Sequence, residues 1–454
     1  MNLNRIKGIG QKLVDLRPSF LLGMGLTLII PTIAYSEPGE GVRVAGAKIV
    51  PSVDVYTRYE TNPGRLAEDE GPQGDASVTS RIGVDFRRAG ADLALDASGS
   101  LLYDHYFGTS DEATKNYSAF SGDLSLDVET NRRGEFPIDI RLNLLRSSDP
   151  QIGTLNRKLE HTMLGATVDA GYNPGGGALK NTATAGFTYD LFDRGTTEAT
   201  EAAAKRQDYA RFNVGIESLY KFLPKTGAFL KANWSQQTFT HNDIAFEFTN
   251  SSDGTVYTGN NQNIGIGNVL GGLTGMLTPK MTVLVSAGAV LTSLGTSAIN
   301  ANCASGTSGA NCNGTTDEGV TGLAGNFQLN WQNSSTAKTF VQLSRTVAPA
   351  SLFKYVDIIS GAIGGELRIL GDLALSAKVS SAYLDYGVPV VSGVSGRTDI
   401  KVDADFVASY SINAGLVFAL VNQLELMATS FQSPNGLNPS YTSNATFLRV
   451  AFRY

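Results

Sequence analysis

The chain has 454 residues, of which 42% are hydrophobic and 17% are charged, and its formal net charge is −6. This negative charge argues against a nucleic-acid partner, which would require a basic surface. The sequence also excludes a helical membrane protein, because no apolar run of about 20 residues follows residue 36.

Residues 1–36 have the three features of a secretory signal peptide. The basic start of this segment contains Arg5, Lys7, Lys12 and Arg17. An apolar core then extends from Phe20 to Ile30, and the small residues Ala34 and Ser36 mark an expected cleavage site before Glu37. We predict a cleaved signal peptide over 1–36 and a short periplasmic segment over 37–48. A retained membrane anchor is the alternative, and the short apolar run disfavours it.

From residue 49 onward, apolar and polar residues alternate with a period of two. Ile82 and Val84, for example, alternate with Arg81 and Asp85. The clearest segments of this kind are 78–87, 93–104, 124–129, 138–143 and 400–413. A helix would not keep charges off one face over so many residues. The pattern therefore predicts strands with one apolar and one polar face.

Short and long connections between these segments also alternate. Short ones occur near 88–90, 131–135, 174–177 and 223–226, and long ones near 61–75, 148–158, 241–261 and 295–318. Short turns at one end and long loops at the other are typical of outer-membrane barrels, and the segments number about 18, within a range of roughly 16–18. We predict an all-β fold, a single transmembrane antiparallel up-and-down β-barrel over residues 49–454, after the cleaved signal peptide.

The C-terminal segment Thr446–Tyr454 alternates to the last residue and ends on an aromatic ring. It resembles the β-signal that the barrel-assembly machinery of outer membranes recognises. We expect it to pair antiparallel with the first strand, Ile49–Glu60, because that pairing removes both open edges. The alternative is an edge strand of a soluble sandwich. So many apolar faces exceed what one core can bury, whereas lipid accepts them all.

We predict that the polar face lines the lumen, because a charge facing lipid at mid-depth costs up to about 2–4 kcal/mol. The predicted pore-lining residues are Arg81, Asp85, Arg87, Asp96, Asp123, Asp127, Asp139, Arg141, Arg211, Glu217, Lys378, Lys401, Asp403 and Asp405. Both signs occur, with an acidic excess. Such a wall favours hydroxyl-rich, weakly charged solutes and disfavours anions.

The two cysteines, Cys303 and Cys312, lie in a stretch rich in glycine, serine, asparagine and threonine. In an oxidising compartment this pattern predicts a local disulfide, and no histidine or acidic residue lies near enough to favour a metal or redox pair. The loop that contains them, Gly295–Glu318, is the best candidate for a constriction that folds into the lumen.

We predict no enzyme, no metal and no cofactor. The three histidines, His105, His161 and His241, have no recognisable catalytic spacing to a nucleophile. A surface adhesin or a lytic enzyme built on a barrel scaffold is an alternative from a different class than a channel.

The segment Pro51–Asn62, with the sequence PSVDVYTRYETN, resembles the opening motif of a family of β-barrel porins associated with exopolysaccharide operons. The segment Arg206–Arg211 and the terminal LRVAFRY are also similar to that family's patterns. Thr61 stands where the family often has an acidic residue, and Pro63 follows the asparagine.

The resemblance implies an outer-membrane channel that exports a secreted polysaccharide, handed over by periplasmic export proteins. The alternative is a general or substrate-selective diffusion porin for small solutes. In both cases the partners include outer-membrane lipid and lipopolysaccharide, as well as the barrel-assembly machinery through the C-terminal strand. No nucleic acid is expected.

Overall fold

The structure is a computed structural model. It describes residues 40–44, 46–68, 71–90, 92–108, 118–147, 160–193, 204–241, 246–249, 256–259, 263–294, 321–350, 353, 355–369, 371–387, 396–431 and 438–454. The predicted signal peptide, the Cys303–Cys312 disulfide and the constriction loop Gly295–Glu318 lie outside the described residues. No helix within the described ranges is long and apolar enough to cross a membrane.

The strands in chain order are β1 (Val42–Val44), β2 (Ala47–Glu60), β3 (Asp75–Arg88), β4 (Leu93–Tyr106), β5 (Ala119–Thr130), β6 (Ile138–Ser147), β7 (His161–Tyr172), β8 (Leu179–Phe192), β9 (Tyr209–Leu223), β10 (Thr226–Phe239), β11 (Phe246–Thr249), β12 (Val256–Gly259), β13 (Ile264–Thr278), β14 (Met281–Leu294), β15 (Thr321–Trp331), β16 (Ala337–Ala348), β17 (Val356–Ile369), β18 (Leu373–Tyr386), β19 (Thr398–Asn413), β20 (Leu416–Thr429) and β21 (Tyr441–Arg453). Strands β2–β10 and β13–β21 form a closed antiparallel barrel of 18 strands, as the sequence predicted. Strands β11 and β12 form a separate hairpin within the connection between β10 and β13.

The barrel closes where β2 pairs antiparallel with β21, from Ser52 opposite Arg453 to Glu60 opposite Ala445. This confirms the predicted closure by the C-terminal strand, although β2 begins at Ala47 and β21 at Tyr441, both earlier than predicted. Strand β1 pairs with the start of β2, where β21 has already ended. Both edges of β2 are therefore satisfied over most of its length, which leaves little open edge for aggregation.

The two ends of the barrel differ in their connections. The turn end has short connections, such as 224–225 and 279–280, and it also holds the start of β2 and the end of β21. The loop end has long ones, such as 61–74 and 240–263. In outer-membrane barrels the short turns face the periplasm, so the turn end corresponds to the periplasmic side.

Most barrel strands have an apolar outer face and a polar inner face, whereas β13–β15 also carry buried apolar side chains such as Ile266 and Val290 on the inner face. On the outside, Ile82 of β3 is 57% exposed and lies opposite Leu101 of β4, which is 65% exposed. The opposite face holds cavities that are each lined by side chains from several consecutive strands. Because only the concave surface of a barrel can enclose such cavities, this face is the inner one. A closed barrel pairs its backbone groups between strands, so its apolar face can meet hydrocarbon without an unsatisfied amide.

Among the described residues, the buried apolar cluster with the most members lies at the loop end. Phe353, Val356, Leu384 and Phe431 are buried against one another there. Tyr386 belongs to the same cluster, and the guanidinium carbon of Arg397 stands 4.5 Å from its ring centroid. This cluster of side chains packs the loop connections of β16–β20 against the barrel wall.

Candidate channel wall

Ion pairs cover the inner face of the strands that follow the closing seam. Arg81 Nη2 lies 3.4 Å from Asp123 Oδ1, and Arg87 Nε lies 2.9 Å from Asp96 Oδ1. Arg141 contacts both Asp139 and Asp169. The structure therefore brings most of the predicted pore-lining residues of β3–β6 together as ion pairs, within one strand or across one or two strand positions. We call the inner faces of β19–β21 and β2–β9 the charged arc.

The charged arc continues across β19 and β20. Lys401 Nζ lies 3.4 Å from Asp403 Oδ1 and 3.0 Å from Glu425 Oε1. Glu425 was not predicted, and it also accepts a hydrogen bond of 2.6 Å from the hydroxyl of Tyr441. Its other oxygen accepts one of 2.8 Å from Arg65 Nε, which comes from the first long loop. One carboxylate thus joins three side chains from three parts of the chain.

The first loop is held against the wall by this contact, and we call residues 61–68 the latch loop. Within it, the Asn62 side chain accepts a hydrogen bond from Leu66 N at 2.9 Å and donates one to Leu66 O at 2.8 Å. Thr61 N donates to Asn444 O at 2.9 Å. Arg65 adopts a positive φ of 51°, which is uncommon outside glycine. The asparagine that ends the family-like opening motif therefore shapes the loop that reaches Glu425.

The six remaining predicted residues form three sets that differ in their contacts. Arg211 Nη2 donates to Gln237 Oε1 at 2.6 Å, and Glu217 lies 3.6 Å from Lys231 Nζ. Asp85 and Asp127 line a cavity of about 540 Å³ between the ion pairs of the charged arc. Lys378 and Asp405 lie opposite each other on β18 and β19. Among the described residues, however, neither of these two forms an ion pair.

A second part of the wall has no charge at all. Strands β13, β14 and β15 contain no aspartate, glutamate, lysine, arginine or histidine. Toward the loop end their inner face carries a buried apolar cluster that includes Ile266, Val290 and Ala324. Elsewhere it carries amides and hydroxyls, which continue onto the neighbouring strands: Asn268 lies opposite Asn233, Asn326 opposite Ser344, and Gln328 opposite Gln342. We call the inner face of β13–β15 the neutral arc. It offers hydrogen-bond donors and acceptors without counter-charges.

Two cavities lie along the neutral arc and the strands that follow it. The turn-end cavity, of about 620 Å³, lies beside the periplasmic turns and includes Thr282, Asn330, Phe340 and Lys378. The mid-wall cavity, of about 440 Å³, lies farther from the turns and includes Asn268, Asn326, Gln342 and Ser360 as well as the same Lys378. Lys378 therefore stands where the two cavities meet.

The histidines lie away from both cavities. His161 is buried, with Nδ1 2.8 Å from Asp190 Oδ1, and its ring stacks on Phe192 at a centroid distance of 5.3 Å. His241 Nε2 lies 3.7 Å from the buried Asp208. His105 stacks beside Tyr103 on the outer face. In the described ranges, no group of three or more histidine, cysteine, aspartate or glutamate side chains is arranged to hold a metal.

Several inner-wall residues were missed by the sequence analysis. Asp54, which pairs with Arg449 at 2.8 Å, stands between Val53 and Val55, so its alternation could have revealed it. The same holds for Glu425, which is flanked by two leucines. Arg65 had no such signal, because a loop residue has no alternating pattern to place it.

A closed barrel with an apolar outside and a polar interior is a membrane channel of the outer-membrane type. The chain belongs to the family described as "Putative beta-barrel porin 2", whose model matches residues 38–275, more than half of the chain. It is a porin-like channel of the bacterial outer membrane. The resemblance inferred from the sequence is thereby confirmed for the porin family, while the association with an exopolysaccharide operon stays a prediction.

Solved structures show similar barrels at low identity. The outer membrane protein OpdK from Pseudomonas aeruginosa is 10% identical, with 90% of this chain and 99% of that chain covered and a TM-score of 0.44. OccAB3 from Acinetobacter baumannii is 10% identical, with 90% and 100% covered and a TM-score of 0.45. The siderophore receptor PirA from Pseudomonas aeruginosa is 9% identical, with 92% and 81% covered and a TM-score of 0.40. A search of curated proteins gives no significant match.

Proposed function

We propose that the protein is a substrate-selective diffusion channel for small, hydroxyl-rich solutes. The observation that carries this proposal is the division of the inner wall into a charged arc, whose side chains largely neutralise one another, and a neutral arc of amides and hydroxyls. The pore-lining role of the predicted residues is part of the same proposal.

The neutral arc suits solutes that carry several hydroxyls. Each hydroxyl both donates and accepts, and an amide offers both partners in return. Asn326 and Gln342, both in the mid-wall cavity, can therefore replace the water that such a solute loses. Because these contacts are uncharged, they are weak enough for the solute to leave again, which conduction requires.

The charged arc contributes differently. Arg87 and Asp96, for example, form an ion pair at 2.9 Å, so neither is an open site for a passing ion. Paired charges keep the wall hydrated and repel apolar molecules without retaining a counter-ion. No catalytic step is assigned to either arc.

Polysaccharide export, the first expectation from the sequence, is supported by the motif resemblance alone. The wall cavities of about 440 and 620 Å³ favour the small-solute alternative. Sites of roughly 300–1,000 Å³ hold ligands of small-molecule size. The proposal therefore takes the diffusion channel as the main function.

Liposome swelling tests this function. The mature protein, reconstituted into liposomes, should admit glucose quickly and progressively larger oligosaccharides more slowly, while liposomes with heat-denatured protein should not swell. A strain that lacks the gene should still secrete normal polysaccharide. A channel that admits no monosaccharide, together with loss of the polymer in the deletion strain, would restore the export function.

A further inference from the structure

We propose that the turn-end cavity is a binding site for a hydroxyl-rich solute that carries a carboxylate, a hexuronate being the simplest example, and that Lys378 binds the carboxylate. This inference rests on the proposed function and names the solute class of the same wall. It departs from the sequence expectation that the acidic excess of the lumen disfavours anions.

The floor of the cavity is an aromatic ring that lies against the wall. Phe340 of β16 faces Gly364 of β17 in register, and a Cβ atom added to Gly364 would stand 2.6 Å from Phe340 Cε1. Only a residue without a side chain allows the ring to lie so close to the strand. A flat ring offers its face to the C–H side of a pyranose, which packs on it by dispersion.

Polar groups without a partner surround this ring. The side chains of Thr282, Asn330 and Ser376 line the cavity. Among the described residues, none of the three makes a hydrogen bond. Gln332 donates from its amide nitrogen to Ser334 O at 2.5 Å, and no donor among the described residues contacts its side-chain oxygen. Hydroxyls of a bound sugar can therefore be satisfied on several sides.

The charges of the cavity favour an anion at one position. Lys280, Lys338 and Lys378 line it, and within the described ranges none of the three forms an ion pair. Glu366, which faces Lys338 in register, is instead paired with Arg368 at 2.9 Å. Asp405 lines the cavity without an ion pair. Three ammonium groups thus stand against the one unpaired carboxylate of Asp405, which can accept hydrogen bonds from solute hydroxyls.

Lys401 is an example of an ion-paired lysine on this wall. Its ammonium has carboxylate oxygens at 3.0 and 3.4 Å, from Glu425 and Asp403. Lys378 lies one strand away, opposite Asp405 in register, but among the described residues no carboxylate forms an ion pair with it. It stands at the junction of two cavities. A carboxylate on the solute would supply the missing charge-assisted hydrogen bond.

The test measures how glucuronate and glucose block ion current through single channels of the mature protein in planar bilayers. Glucuronate should block at a concentration about fivefold lower than glucose, because the contact to a partly exposed lysine is charge-assisted. Lys378→Gln should remove this preference, and Lys378→Arg should keep it. Lys231→Gln is the matched control, since that lysine is already paired with Glu217 outside the cavity.

Phe340→Leu provides a second readout. It should weaken the block by both sugars and leave the glucuronate preference in place, because the ring contacts the solute but carries no charge. Equal block by glucuronate and glucose in the unaltered channel would overturn the inference, as would a preference that survives Lys378→Gln. Such a result leaves the proposed function intact as long as liposomes still swell in glucose.

Discussion

The charged arc and the neutral arc belong to different strands of one barrel, and they use their inner positions differently. In the charged arc, Arg81 and Arg141 are held by aspartates of other strands, two strands and one strand away respectively. In the neutral arc, Gln328 has only Leu284 and Gln342 opposite it. The comparison teaches that a high density of charge does not by itself create a selective site. Charges that neutralise one another stabilise and hydrate the wall, whereas unpaired groups remain available for a solute.

The largest effect is expected where one carboxylate serves several partners. Glu425→Gln removes the charge that Arg65, Lys401 and Tyr441 share. The half-buried Arg65 would then lack its counter-charge, at a cost of about 1–3 kcal/mol, and the latch loop should detach. Trypsin should cut after Arg65 at least several-fold faster in intact proteoliposomes. Glu366→Gln, which affects only an exposed pair, is the control, and equal cleavage of both variants would contradict the latch.

The same chemical change should act unequally in the two arcs. Gln328→Glu places a lone carboxylate in the neutral arc, and it should raise cation over anion permeability by about threefold, because no opposite charge lies across from it. Asn143→Asp places a carboxylate in the charged arc, two residues from Arg141. Its effect on the ratio of cation to anion permeability should be smaller. Reversal potentials in a salt gradient measure both. A larger shift for Asn143→Asp would break the distinction between the arcs.

Two aspartates on one strand sharpen the comparison further. Asp403 is paired with Lys401, whereas Asp405 forms no ion pair among the described residues. Asp405→Ala should therefore lower cation selectivity. Asp403→Ala should change cation selectivity less, because Lys401 remains paired with Glu425. Unchanged selectivity in both variants would place the inner face of β19 in doubt.

The smallest effect should come from removing a whole pair. Arg87→Gln leaves Asp96 without its partner and should move selectivity modestly toward cations, by less than about twofold, because the pair is exposed and screened. Adding Asp96→Asn should return the reversal potential close to its original value. A double variant that differs from the unaltered channel more than either single variant would show that the pair acts on ions directly.

Much of the fold could be predicted because lipid imposes a simple rule on every strand. Alternation identified the inner charges of β3–β6, and the aromatic end of the chain identified its partner strand. Pairs such as Arg87 and Asp96 follow from hairpin register, since only a short turn separates them. The contact of Arg65 with Glu425 could not be predicted, because 360 residues separate the two and a loop has no period.

The neutral arc was also invisible in the sequence. Segments such as Ile264–Thr278 are rich in glycine and lack charges, so their inner and outer residues differ little in polarity. The amides Asn268 and Asn326 have significance only when the register places them beside polar groups of neighbouring strands, Asn233 for the first and Ser286 for the second. Lys378, by contrast, was assigned to the lumen from its sequence, but its lack of an ion pair required the structure.

Glucose influx into liposomes tests the central claim most directly when one variant of each arc is compared with the unaltered channel. Gln342→Leu removes an amide from the mid-wall cavity beside the neutral arc, and Arg87→Gln with Asp96→Asn removes a pair from the charged arc. We predict that the first variant slows glucose influx by about threefold or more, because one solute contact is lost, and that the second leaves it nearly unchanged. Slower influx in the charged-arc variant, with normal influx in Gln342→Leu, would contradict the assignment of solute passage to the neutral side of the wall.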